Sequence, residues 1–115
     1  MKIIKNYIDG SIQSSSNNLI PVFDPSKGEK ISEVVNSNND DFLHCIKSSK
    51  KGYDIWSRIT PLKRSRVLSK YKNIIESNVD SLAKIVSEEH GKNLDDAKGS
   101  VIRGLEVVEF ACGIP

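Results

Sequence analysis

The segment from Val101 to Ile114 constrains the fold most, because it carries apolar residues on two faces of one predicted helix. The spacing i, i+4, i+7 and i+11 defines the first, the Leu105 face, which contains Val101, Leu105, Val108 and Cys112. The same spacing defines the second, the Arg103 face, which contains Arg103, Val107, Phe110 and Ile114. A helix that is apolar around most of its circumference needs other protein to cover it. Arg103 heads such a face, so its charge must find a partner or remain in water.

The first third of the chain predicts short β-strands. Asp9-Gly10 separates "IIKNYI" from "SIQ", and Asp-Gly between alternating residues favours a two-residue hairpin. The segment "LIPVFDP" is extended, and its prolines, Pro21 and Pro25, favour an edge or a strand end over the centre of a sheet. A turn at "SKGE" leads to "KISEVV", which alternates as a third short strand.

From residue 37 onward the apolar period changes to that of α-helices. Caps, a proline and a glycine set the predicted ends of about four helices in succession. The first begins at Ser37 or Asn38 and ends near Arg58, the second runs from Thr60-Pro61 to Asn78, the third is closed by Gly91, and the fourth runs from about Leu94 to Cys112.

The predicted fold class is therefore α/β, with a strand and hairpin segment over residues 1–36 and helices over residues 37–115. Three short strands cannot cover four helices, and no later element is predicted to cover the last one. We therefore expect the chain either to oligomerise through that helix or to be the beginning of a longer protein.

Composition excludes several classes of protein. With 37% hydrophobic residues, 28% charged residues and a net charge of +2, the 115-residue chain suits one soluble domain or part of one. The charge is too balanced to predict a nucleic acid partner, and no apolar run is long enough to span a membrane. Without a recognisable signal or transit peptide, the cytoplasm is the expected compartment.

The sequence assigns no residue to catalysis, to a cofactor or to a metal. It contains no GxGxxG or Walker motif, no cluster of metal ligands and no Ser/His/Asp or Cys/His set. Cys45 and Cys112 have neither CxxC nor Cys/His spacing, so they are predicted to be two buried free thiols.

Arg103 is the candidate binding residue, and two interpretations of it stay open. It can form an ion pair with Glu106 one turn later, which contributes little at a helix surface. It can instead bind a carboxylate at the edge of a pocket, since its planar fork matches a carboxylate bidentately. Gly99 and Gly104 favour the second interpretation slightly, because close approach of a backbone or ligand would explain glycine inside a helix.

Two other polar segments have plain structural explanations. In "EEHGKN", His90 favours the end of a helix dipole and Lys92 is placed to bond terminal carbonyls. In "KRSRVLSKYK", residues 63–72, the basic residues Lys63, Arg66 and Lys70 share one helix face. That basic face is typical of a solvated surface, and its functional alternative is a non-enzymatic helical module that binds an anionic polymer.

Taken together, these segments resemble the N-terminal quarter of an aldehyde dehydrogenase. The resemblance runs from about Asn6 to Pro115 and is carried by "NYIDG", "VFDPSKGEKISEV", "GYDIWS", "RSRVLSKY" and "EEHGKNLDDAKG" in the family's order. The last motif, "RGLEVVEFACGIP", is the most specific, and it resembles the CoA-acylating methylmalonate-semialdehyde dehydrogenase branch.

The resemblance implies an enzyme that uses NAD and coenzyme A to oxidise methylmalonate or malonate semialdehyde to propionyl-CoA or acetyl-CoA. It implies a homo-oligomer, a tetramer, and places residues 37–115 at the opening of an incomplete NAD-binding domain. Arg103 matches the arginine with which this branch holds the substrate carboxylate. Neither Cys45 nor Cys112 matches the family's nucleophile, which, like the dinucleotide loop, lies beyond residue 115, so the chain alone is expected to be inactive and to bind neither cofactor.

Overall fold

The computed structural model describes residues 2–115 as five short strands followed by four helices. The chain forms two compact units, the first ending at Ser57 and the second comprising Arg58–Pro115. The elements are β1 (Lys2–Ile4), β2 (Asn6–Ile8), β3 (Ser11–Gln13), β4 (Leu19–Phe23), β5 (Lys30–Val35), α1 (Asn39–Trp56), α2 (Pro61–Ser77), α3 (Val79–His90) and α4 (Leu94–Ala111).

The predicted hairpin forms between β2 and β3, which pair antiparallel with Ile8 opposite Ser11. Asp9 and Gly10 have φ of 51° and 76°, the left-handed conformations that a type I′ turn requires at both central positions. The prediction of one strand over "IIKNYI" is wrong, because the strand is interrupted at Lys5. β1, the first half of this segment, pairs parallel with β5, whereas β2, the second half, pairs with β3. The two halves therefore satisfy their backbone hydrogen bonds in different sheets.

The larger sheet has the strand order β1-β5-β4. β4 lies at its edge, antiparallel to β5, and Pro21 is opposite Glu33. Proline has no backbone N–H to donate, and an edge strand pairs on one side only, so an edge is where a proline costs least. The predicted edge position of this segment is therefore confirmed. β5 is the central strand, and its residues Ser32 and Val35 are buried.

α1 begins with a reciprocal capping box between Asn38 and Asp41. The Asn38 side chain accepts from the Asp41 backbone N–H at 3.0 Å, and the Asp41 carboxylate accepts from the Asn38 backbone N–H at 3.2 Å. Of the two predicted caps, Asn38 is therefore the one used, while the Ser37 hydroxyl exchanges hydrogen bonds with the Asn6 side chain. The strand-to-helix change falls where the sequence places it, although α1 belongs to the same compact unit as the strands.

The second unit contains three helices whose ends follow the predicted signals. Pro61 is the first residue of α2, Asn78 caps its end, and Gly91 ends α3 with φ of 68°. α3 and α4 pack together, and their alanines Ala83 and Ala97 have no exposed surface. Small side chains at these positions allow the two helices to approach closely.

Large apolar side chains remain exposed along α1 and α4. Val107, Phe110 and Ile114 of the Arg103 face are 68%, 77% and 70% exposed, whereas the Leu105 face is half-buried. The prediction of two buried thiols is wrong for Cys45, which is exposed because α1 buries only Asp41; Cys112 is partly covered. Among residues 2–115, no helix is both long and apolar enough for a transmembrane span.

Candidate carboxylate-binding site

Arg103 lies in the middle of α4, on the exposed Arg103 face. Its guanidinium makes one side-chain hydrogen bond within residues 2–115: Nη2 donates to the Ser100 hydroxyl at 3.1 Å. The predicted ion pair with Glu106 does not form, and none of the ion pairs in the described part of the chain involves Arg103. Most donors of the guanidinium fork therefore remain available to a ligand.

Ser100 places two cations around one oxygen atom. Its hydroxyl donates to the Asp96 carbonyl, with 3.2 Å between the oxygens, the usual i−4 bond of a helical serine. The same oxygen accepts from Arg103 and also from Lys92 Nζ, at 3.0 Å. The two positive side chains thus converge on the hydroxyl of Ser100 at the surface of α4.

Lys92 is held by the turn between α3 and α4. Gly91 ends α3 in the left-handed conformation, and the Ser87 hydroxyl donates to the Lys92 carbonyl with 2.7 Å between the oxygens. Asn93 then caps α4 by accepting from the Asp96 backbone N–H at 2.9 Å. The expectation that the Lys92 side chain bonds terminal carbonyls is wrong, because it reaches forward across the turn to Ser100.

The glycines near Arg103 lie in open surroundings within the described residues. A Cβ on Gly99 would meet only the Arg103 Nη1 atom, at an ordinary contact distance of 3.6 Å, and a Cβ on Gly104 would meet no atom within 4 Å. No part of residues 2–115 thus makes the close approach that the glycines suggested. That expectation stays a prediction about what covers this surface.

The basic face of residues 63–72 is only partly neutralised. Lys72 Nζ lies 3.3 Å from the Glu109 carboxylate and 3.7 Å from that of Glu76. The hydrogen bond that Lys72 donates to Glu109 raises the pKa of Lys72 above its ordinary value. Lys63, Arg66 and Lys70 are exposed and take part in none of the ion pairs found in residues 2–115. They present positive charge but no built pocket.

A groove of about 480 Å³ in the first unit contains Cys45. Tyr7 and Phe42 form its apolar walls, and the only acid that lines it is Asp41. The Asp41 carboxylate already accepts bonds from Ser14, Ser15 and Asn38. The groove therefore supplies no free acid or base that could activate the thiol.

The strand-to-helix junction does not fit a dinucleotide. A pyrophosphate needs free backbone N–H groups at such a junction. At the β5–α1 connection, the Asp41 N–H is occupied by Asn38, and the Asp41 carboxylate is itself buried there. The backbone N–H of Ser15 is the largest cause of a lowered Asp41 pKa, so this group carries negative charge where a pyrophosphate would sit.

The fold defines the class of protein. Residues 12–115 match the sequence model of the aldehyde dehydrogenase family, and the chain belongs to that family. Its α/β structure superposes with a TM-score of 0.96 on a protein from Sinorhizobium meliloti, assigned as a methylmalonate-semialdehyde dehydrogenase and crystallised with NAD. The sequences are 36% identical, over 100% of this chain and 24% of that one.

Curated relatives point to one branch of the family. The chain is 37% identical to malonate-semialdehyde dehydrogenase 2 of Bacillus thuringiensis, over 99% of its own length and 24% of the relative. It is 40% identical to a mitochondrial protein of Anopheles gambiae whose name gives it as an acylating methylmalonate-semialdehyde/malonate-semialdehyde dehydrogenase, over 96% of this chain and 21% of that one. The chain thus spans about a quarter of the length of such relatives.

Sequence reasoning singled out Arg103 but missed the partnership of Ser100 and Lys92. The sequence does indicate Ser100, since it lies three residues before Arg103 and residues three apart on a helix are neighbours. Lys92 lies eight residues before Ser100, outside the helix, and only the geometry of the Gly91 turn brings its side chain there.

Proposed function

We propose that this chain is the amino-terminal part of an NAD-dependent, CoA-acylating dehydrogenase that oxidises malonate or methylmalonate semialdehyde to acetyl-CoA or propionyl-CoA. The substrate carboxylate leaves as carbon dioxide in this reaction. The names of its relatives support the substrate class, and the NAD complex of one of them supports the redox cofactor. Coenzyme A rests on the acylating activity named for the mosquito relative. The complete protein is a homo-oligomer, a tetramer, as the family resemblance implies.

In this enzyme Arg103 binds the substrate carboxylate. The observation that carries the proposal is an exposed guanidinium with no acidic partner among residues 2–115 and most of its donors unused. A semialdehyde acid carries its carboxylate at the end opposite the reactive carbonyl. A bidentate pair with Arg103 would fix that end and so orient the aldehyde.

Residues 1–115 supply binding and not redox chemistry. The family resemblance places the nucleophilic cysteine and the dinucleotide loop beyond Pro115, and the β5–α1 junction does not fit a pyrophosphate. When bound by the complete protein, NAD would supply a hydride acceptor and coenzyme A would supply a thiol to carry the acyl group. The role of this chain is to hold the carboxylate in place.

The test compares two substrates in the complete enzyme. We expect Arg103→Leu to lower kcat/KM for malonate semialdehyde about 10- to 100-fold, the range for losing a hydrogen bond to a charged group, and to leave propanal oxidation nearly unchanged. Arg103→Lys should recover only part, since an ammonium lacks the fork. Arg66→Leu, another exposed arginine outside the ion pairs of residues 2–115, is the matched control. Equal losses on both substrates would contradict the proposal.

The basic face supports a second candidate, a non-enzymatic module that binds an anionic polymer. Its supporting observation is that Lys63, Arg66 and Lys70 are exposed and unpaired within residues 2–115. Binding to RNA or heparin should then weaken steeply as salt rises, and a Lys63→Gln, Lys70→Gln double variant should weaken it at every salt concentration. If the chain does not bind either polymer at low salt, this candidate is eliminated.

A further inference from the structure

We propose that Lys92 and Ser100 complete the carboxylate site of Arg103. Lys92 supplies a second positive charge for the substrate carboxylate, and Ser100 is a positioning residue that holds both cations. This inference rests on the proposed role of Arg103 and assigns new roles to its two neighbours.

The hydrogen-bonding capacity of Ser100 identifies it as a positioning group. A serine hydroxyl has one donor and two acceptor lone pairs. The donor is used by the Asp96 carbonyl, and the two acceptors are used by Lys92 Nζ and Arg103 Nη2. The hydroxyl therefore has no free donor or acceptor for a ligand, whereas Lys92 and Arg103 each use only one of several N–H donors here. The unused donors of two cations are therefore fixed around one point on the surface of α4.

The two positive charges at Ser100, those of Lys92 and Arg103, favour the binding of an anion. Two like charges that bond one neutral oxygen repel each other, and an anion placed between them offsets that repulsion. The ion pairs in residues 2–115 use Lys30, Lys51, Lys72 and Lys98, and neither Lys92 nor Arg103 has an acidic partner among them. A carboxylate, with two oxygens and one negative charge, complements the pair by accepting from both side chains.

Lys98, which lies on α4, shows how an ordinary structural lysine is paired, and Lys92 differs from it. Lys98 Nζ bonds Asp80 of α3 at 2.7 Å, so its charge is matched within the protein. Lys92 instead has its backbone carbonyl bonded by Ser87 and its ammonium directed to Ser100. A lysine held at both ends, with its charge unmatched, is preorganised for a ligand.

The experiment measures kcat and KM of the complete enzyme for malonate semialdehyde and for propanal. We expect Lys92→Met and Ser100→Ala each to raise KM for the semialdehyde about tenfold, with kcat and propanal oxidation little changed. Ser100→Thr, which keeps the hydroxyl, should recover most of the loss. In an Arg103→Leu background, Ser100→Ala should add less than it does alone, because its effect passes partly through Arg103.

Matched controls separate this role from simple loss of structure. Lys98→Met removes a lysine that is paired with Asp80, and Ser69→Ala removes a helical serine that bonds the Ser65 carbonyl as Ser100 bonds that of Asp96. Neither should change the ratio of the two KM values. If Lys92→Met and Ser100→Ala behave like these controls while Arg103→Leu still impairs only the semialdehyde, this inference is overturned and the role of Arg103 stands. If Arg103→Leu impairs both substrates alike, the proposed function itself fails.

Discussion

The carboxylate of Asp41 accepts a hydrogen bond of 2.7 Å from the backbone N–H of Ser15, 26 residues earlier in the chain. The Ser14 and Ser15 hydroxyls donate to the same carboxylate. The polar loop between the hairpin and β4 is thereby fixed to the first turn of α1. Asp41 is only 5% exposed, so these bonds replace water around a charged group.

This network predicts an acid-sensitive first unit. The Ser15 N–H, followed by the other donors, lowers the pKa of Asp41 below its ordinary value of 3.8, although burial opposes the shift. A depressed pKa adds stability that is fully present above the unfolded-state value and is lost as the pH falls through the folded-state value. We expect the melting temperature of the chain, followed by circular dichroism, to fall more steeply below pH 4 than that of Asp41→Asn. Asp40→Asn, at the exposed neighbouring position, should follow the unsubstituted chain, and parallel curves for all three proteins would contradict the prediction.

Gly104 allows a prediction whose sign depends on what surrounds α4. In the described residues a Cβ there meets no atom within 4 Å, so Gly104→Ala should stabilise the chain by about 0.5–1 kcal/mol through helix propensity. We predict that another backbone or the substrate approaches Gly104 in the complete enzyme, and there the same substitution should destabilise the protein or raise KM. Urea unfolding of both proteins measures this, with Gly52→Ala in α1 as the control. Stabilisation in both proteins, with an unchanged KM, would show that Gly104 is not kept small by a neighbour.

The exposed apolar part of the Arg103 face predicts self-association of the isolated chain. Val107, Phe110 and Ile114 form a contiguous exposed stripe, and stripes of this kind drive association. Phe110→Gln should shift the chain toward monomer in sedimentation velocity at micromolar concentrations. Leu94→Gln, which removes an exposed apolar side chain at the other end of α4, should have a smaller effect. A wild-type chain that sediments as a monomer at every concentration would refute this prediction.

We expect the isolated chain not to bind NAD. The β5–α1 junction offers a buried carboxylate and an occupied N–H where a pyrophosphate would need free donors. Calorimetric titration of residues 1–115 with NAD should therefore show no saturable heat, whereas the complete enzyme serves as the positive control. Saturable binding at micromolar NAD would place a cofactor site in this part of the chain.

Local signals in the sequence predict most of the secondary structure because they are short-range. Asp9-Gly10 determines a turn, Pro61 a helix start and Gly91 a helix end, each through its own backbone preferences. The division of "IIKNYI" at Lys5 could not be predicted in this way, since it depends on a pairing of Ile3 with Glu33. The pairing of strands depends on residues throughout the sheet, and the local sequence at Lys5 does not indicate it.

The candidate site shows the same limit. Arg103 could be singled out because a cation on an apolar helical face conflicts with its surroundings. Its surroundings could not be predicted from spacing, because Lys92 reaches Ser100 from outside the helix, through the turn at Gly91. The apolar faces indicated that α4 needs covering, but the pattern does not identify the segment that covers it.

The parallel pairing of β1 with β5 has a consequence for how the protein is made. Lys2 pairs with Ser32, so β1 leaves the ribosome about thirty residues before its partner strand has been synthesised. The second unit, by contrast, closes through contacts between helices that are near neighbours in the chain, and such local contacts form fast. During synthesis, β1 therefore remains unpaired until β5 emerges. In that interval the nascent chain is most vulnerable to incorrect strand pairing.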